Sequence, residues 1–241
     1  MASRTQQFFK SISLAALLGI GVSAQAADQV TELMQAANAP YCMALYKTNG
    51  KAQEEAQAAV QQAQAAWSKL ASQFGAKPAA PYDRDTAFAT SVLEVSKVYD
   101  QALKEVNAGQ LTTAHNTLER VRDVMADMRQ RNGVVVFSDH MNAYHSQMEV
   151  IMVHGGETLA QPKGMLHMTA QVGALSYLAR QLELQAPADS KKNDEFNGLL
   201  KAVNQSVAAL EAALLDQDMA AAKESAKKLK GPYSKLFAKF G

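Results

Sequence analysis

Alanine fills 44 of the 241 positions, and its neighbours are glutamine, lysine, glutamate, leucine and methionine rather than β-branched residues. Alanine has the strongest intrinsic helix propensity, and those neighbours rank close behind it. Valine, isoleucine and threonine are too few and too scattered for a sheet. The single β-like run, Val134 to Phe137, is four residues long. The expected fold class is therefore all-α, an antiparallel helical bundle or a pair of bundles. With 48% hydrophobic residues, 13 glycines and 6 prolines, the chain has apolar surface enough for a core. That balance argues against a collagen-like, disulfide-rich or disordered chain.

The first 26 residues read as a leader rather than as structure. Arg4 and Lys10 make a positive start, Ile12 to Val22 is an apolar run, and Ala24-Gln25-Ala26 offers a small-x-small cleavage site. That is the pattern of a secretory signal, with an apolar stretch too short for an ordinary membrane span. Cleavage is expected between Ala26 and Ala27, with the periplasm as destination. No cysteine follows the apolar run to carry a lipid, and no later stretch is apolar enough to cross a membrane. Removing Arg4 and Lys10 leaves 22 basic and 23 acidic residues, a net charge of −1. A near-neutral chain carries no electrostatic footprint for nucleic acid. Cys42, alone, has no internal disulfide partner. It reads as a buried thiol, an intermolecular bridge or a soft metal ligand.

Breaks divide the remainder. Asn38-Ala39-Pro40 is expected to interrupt the first helix, and Asn49-Gly50 marks a turn. Helices are predicted over 51–74, from a cap at Asp83 or Asp85 through Phe88 to Val106, over 111–131, from Ser138 or Asp139 to Met152, and over 164–184. Two more are predicted over 195–215 and 218–240, with a weak break near Gly231-Pro232. Gly155-Gly156 is expected to stop the helix that carries Met152. The organisation expected is a leader over 1–26, an N-terminal helical half over 27–133 and a C-terminal half over 134–241. Phe88–Gly133 and Phe196–Gly241 align without gaps, pairing Val95 with Val203, Val106 with Leu214, Ala114 with Ala222 and Met128 with Leu236. Few of the pairs are identical, so the alignment is compatible with two related halves and with two ordinary hairpins.

Against the alanine background one cluster stands out. His140, Met141, His145, Met148, Met152, His154, Met165, His167 and Met168 fall within 29 residues, where an even spread would put about two. Met141, His145, Met148 and Met152 recur at helical spacing, and Glu149 follows His145 by one turn. Thioether and imidazole together suit copper, above all Cu(I). Imidazole with carboxylate suits zinc, iron or Cu(II). A histidine and a methionine on facing helices also suit a non-covalent b-type haem. The candidate metal ligands are thus His140, Met141, His145, Met148, Glu149, Met152, His154, Met165, His167 and Met168. A methionine stripe at this spacing is equally the signature of core packing. His115 stands apart from the cluster and is expected at the surface. His154-Gly155-Gly156-Glu157 has the letters of a ligand pair, with two glycines that argue against a helix there. Ser138-Asp139-His140 is too contiguous for a hydrolytic triad, whose members converge from different elements. No sequence signature specifies a reaction.

An exported, alanine-rich chain with the helix segment Ala65-Ala66-Trp67-Ser68-Lys69-Leu70 resembles the cytochrome c′ and cytochrome b562 group of periplasmic four-helix bundles. The resemblance is architectural and covers one half at a time. It implies a metal or haem site between helices, but the C-x-x-C-H sequence for covalent haem is absent and no ligand position carries over. Three functions follow as expectations. The first is binding of copper or iron for storage, delivery or tolerance. The second is b-type haem binding with electron transfer. The third is a cofactor-free adaptor or chaperone that contacts another periplasmic protein.

Overall fold

A computed structural model describes residues 28–241, so the expected leader lies outside the described residues. The described chain is all-α, with no strand among those residues. α1 (Gln29–Thr48), α2 (Gln53–Phe74), α3 (Phe88–Asn107) and α4 (Leu111–Arg131) pack in a closed ring, each on the next and α4 back on α1. α5 (Phe137–Ala160), α6 (Gly164–Gln185), α8 (Asp194–Leu215) and the broken pair α9 (Met219–Lys228) and α10 (Lys230–Phe240) close a second ring. A one-turn helix, α7 (Ala188–Lys191), lies in the connection between α6 and α8. Short turns joining α1 to α2, α3 to α4, α5 to α6 and α8 to α9 force those neighbours to run antiparallel, as in an up-and-down bundle.

Local chemistry sets the ends. Asp28, Asn193 and Asp218 accept backbone N–H bonds at the starts of α1, α8 and α9, satisfying donors that no helical carbonyl reaches. Asp85 does the same ahead of α3, accepting from Ala87 N–H at 2.9 Å. At α5 the helix starts one residue earlier than Ser138, and Asp139 reaches back from its first turn to the Val136 N–H at 3.0 Å. The α9–α10 break falls at Leu229, one turn ahead of Pro232, whose ring would clash with the carbonyl of a continuous helix.

Two expected breaks are corrected. α1 runs through Pro40 without ending, because Ala37, Asn38, Tyr41 and Cys42 around it are all buried and packing outweighs the lost backbone bond. α5 runs through Gly155-Gly156 to Ala160. There a Cβ on Gly155 would lie 2.7 Å from the Met168 methyl, so the glycine admits α6 to close approach. Val134 to Val136 is irregular, and Phe137 already belongs to α5.

Each ring has its own core. The first is centred on Trp67, Tyr99, Leu118 and Met125, the second on Tyr144, Met148, Leu175, Phe196 and Leu236. The aligned pairs Phe88 with Phe196, Val95 with Val203, Val106 with Leu214, Ala114 with Ala222 and Met128 with Leu236 are buried in both rings. The rings meet where α1 packs against α10, and Phe237 touches both cores. Arg129, buried at the end of α4, grips Asp139 at the start of α5 through its Nε at 3.1 Å and through a second nitrogen.

Candidate metal centre

Four helices turn one face each into a cleft between the bundles. α1 contributes Leu45, Tyr46 and Asn49; α4 contributes His115, Glu119 and Arg122; α5 contributes His145 and Glu149; α10 contributes Lys230, Tyr233, Ser234 and Phe237. On α4 and α5 the spacings are three and four, which stacks side chains along one helix face. On α4 the core positions are Ala114, Leu118 and Val121, and the cleft residues follow each by one. On α5 the core positions are Tyr144 and Met148, and again His145 and Glu149 follow by one. The same offset therefore turns a His-x-x-x-Glu pair from each bundle towards the other. The cavity measures about 50 Å³, space for a few waters or one hydrated ion.

Glu119, His145 and Glu149 bring one ligand atom each within 4.8 Å of one another. His145 Nε2 lies 3.5 Å from Glu149 Oε1, and His115 Nε2 lies 3.8 Å from Glu119 Oε1. His115 Nδ1 sits 3.1 Å from the Leu45 carbonyl oxygen, which only accepts. Nδ1 of neutral His115 therefore carries the proton, leaving the Nε2 lone pair free on the Glu119 side. His145 is held in the opposite tautomer. Arg122 Nη1 donates to its Nδ1 at 2.9 Å, and a guanidinium has no acceptor to offer in return. Tyr233 stacks on the His145 ring at 5.4 Å and donates its hydroxyl to the Met141 carbonyl at 3.1 Å.

Electrostatics favours uncharged histidines here. Burial pushes the pKa of His145 down to about 4, with the Arg122 charge adding to the effect. Burial also lowers that of His115, partly offset by Glu119. Tyr41 is buried, its hydroxyl lacks a partner, and it lies close enough to Arg122 and Glu119 to feel both charges.

The sequence candidates scatter. Met141, Met148 and Met168 are fully buried in the second core, and Met152 and Met165 pack against it. His154 and His167 are exposed, and His154 pairs with exposed Glu157 at 3.9 Å across a helix that runs through both glycines. His140 is half-buried and does not line the cleft. Cys42 is buried against Asn38, 3.6 Å from its amide nitrogen, and does not line the cleft either. Of the ten candidates, His145 and Glu149 alone reach it. His115, expected at the surface, is half-buried in its wall. Glu119, Arg122 and Lys230 were not anticipated. The signal for one of these three was present, since Glu119 follows His115 at the spacing by which Glu149 follows His145. No family model, curated protein or solved structure matches the chain.

Proposed function

We propose that this is an exported helical protein that holds one transition-metal ion between its two bundles, for storage, delivery or tolerance. The observation that carries the reading is the convergence of Glu119, His145 and Glu149 from both bundles, with His115 flanking Glu119. Two carboxylates and neutral imidazole form a nitrogen–oxygen donor set, which suits Cu(II), iron or zinc, and among divalent ions Cu(II) heads the affinity order. Thioether ligation of Cu(I) has less support, because the methionines of the cluster pack in or against the second core. Haem has less support as well, since neither core contains a histidine among the described residues. To bind the ion, Arg122 must leave His145, whose ring nitrogens are otherwise occupied by a proton and a hydrogen bond.

Elemental analysis of tag-free protein purified from the periplasm tests this reading. One equivalent of copper, iron or zinc is expected, reduced at least tenfold in retention by Glu119→Gln or by His145→Ala. A protein that takes up none of these ions at stoichiometric level overturns it. N-terminal sequencing of the same material is expected to begin at Ala27.

A further inference from the structure

The charges lining the cleft do not suit a bare cation. Glu119 and Glu149 are balanced by Arg122 and Lys230, and the histidines add no negative charge in any protonation state. A divalent ion placed on that set leaves a half-buried cleft with surplus positive charge, still one unit when Asp123 on Arg122 is counted, and burial weakens the screening that would tolerate it. Something anionic must accompany the ion for the count to close.

The mouth of the cleft offers the place. Lys230 opens α10 beside Tyr46, Asn49 and Ser234, and among the described residues it forms no ion pair. No side chain of these four makes a hydrogen bond to another described residue. An ammonium, an amide and two hydroxyls all donate, and donors of this kind gathered at a cation recognise oxygen anions. Arg122 lies deeper, with its Nε on Asp123 at 3.2 Å, so Lys230 is the uncommitted cation at the entrance.

We infer that the cleft takes its metal ion together with a small oxyanion or carboxylate, the metal on Glu119, His145 and Glu149 and the anion between that metal and Lys230, with Asn49 and Ser234 as further donors. This rests on the metal site proposed above. The 50 Å³ cavity limits the buried part of the pair to a few heavy atoms, which fits hydrogencarbonate, phosphate or a short carboxylate such as malonate.

Metal-free mature protein titrated with Co²⁺ by calorimetry and visible absorption tests the idea in a non-coordinating buffer. Separate arms contain hydrogencarbonate, phosphate, malonate, or chloride at matched ionic strength. At least one of the first three is expected to tighten the Kd about tenfold or more relative to chloride, or about 1.4 kcal/mol, and to shift the Co²⁺ d–d bands. The arm with the largest effect identifies the anion. Lys230→Gln is expected to tighten binding in chloride, by removing a repelling charge, and to abolish the anion effect. Lys230→Arg is expected to retain it. Equal affinity in all four arms, or an undiminished effect in Lys230→Gln, overturns the inference while leaving the metal site standing. Failure of Co²⁺ to bind in every arm, with Cu²⁺ and Zn²⁺ failing likewise, removes the metal site and this inference together.

Discussion

At the scale of single residues, the cleft turns on how its histidines are held. Arg122 occupies one nitrogen of His145 and contributes to keeping the ring neutral. Arg122→Met is therefore expected to raise the His145 pKa from about 4 towards the ordinary histidine value, though burial, the larger cause, keeps it below. An NMR titration of the imidazole protons reads that shift directly. The same depression has a sign in stability. The unfolded chain protonates His145 near pH 6.5 and the folded chain near pH 4, so between those limits the unfolded state binds the extra proton. Stability of the metal-free protein is expected to fall as pH drops from about 6.5 to about 4, by roughly 1–3 kcal/mol from this group. His145→Gln should flatten that part of a Tm-against-pH curve; an equally steep curve would contradict the assignment. These environments were hidden in the sequence because they depend on Arg122 and Tyr233, which lie 23 and 88 positions away. What could be read was that His145 and Glu149 share a helix face.

At the scale of elements, glycine and proline proved weaker punctuation than they look. Gly156 lies exposed in mid-helix with open space where a Cβ would sit. Gly156→Ala is expected to stabilise by about 1 kcal/mol, from helix propensity alone, a rise of about 2–4 °C in Tm for a chain of this size. Gly164 contrasts with it, for a Cβ there would lie 2.2 Å from the Thr158 carbonyl oxygen and 2.8 Å from that of Leu159. Gly164→Ala should lower Tm by forcing the α5–α6 turn apart, and the two variants scanned side by side separate propensity from collision. Helix positions were legible from the three-and-four recurrence of apolar residues, as with Ala114, Leu118, Val121, Met125 and Met128 on α4. Helix continuity through Pro40 and through Gly155 was not, because it is settled by burial against other helices.

At the scale of the whole molecule, two cores joined by a short connection flank one cleft. Asp139 is the main partner of a guanidinium that is 3% exposed. Asp139→Ala strands that charge and is expected to cost about 3–5 kcal/mol. Pairing it with Arg129→Met should recover part of the loss in a denaturant titration. A metal ion at one hundred times its Kd is expected to stabilise the folded chain by about 2.7 kcal/mol, a gain that Glu119→Gln should erase in a thermal scan. The aligned hairpins place Val95, Val203, Ala114, Ala222, Met128 and Leu236 in buried positions. The cleft was not legible in that alignment, because periodicity reports which face of a helix is buried in its own bundle and is silent about which bundle lies against the other face. The methionines near His145 recur at helical spacing because they pack in or against the second core.

The walls of the cleft come from α1 and α4 on one side and α5 and α10 on the other, so the proposed ligand set does not exist within either bundle alone. An ion seated there acts as a rivet between two bodies that each keep their own core. The reverse holds with equal force. If the proposed ion is the cargo, a protein that grips both bundles and turns one a few degrees against the other would spread Glu119 away from His145 and Glu149, and the ion would lose its ligands while no helix unfolds. Unloading by this route needs leverage rather than a stronger chelator.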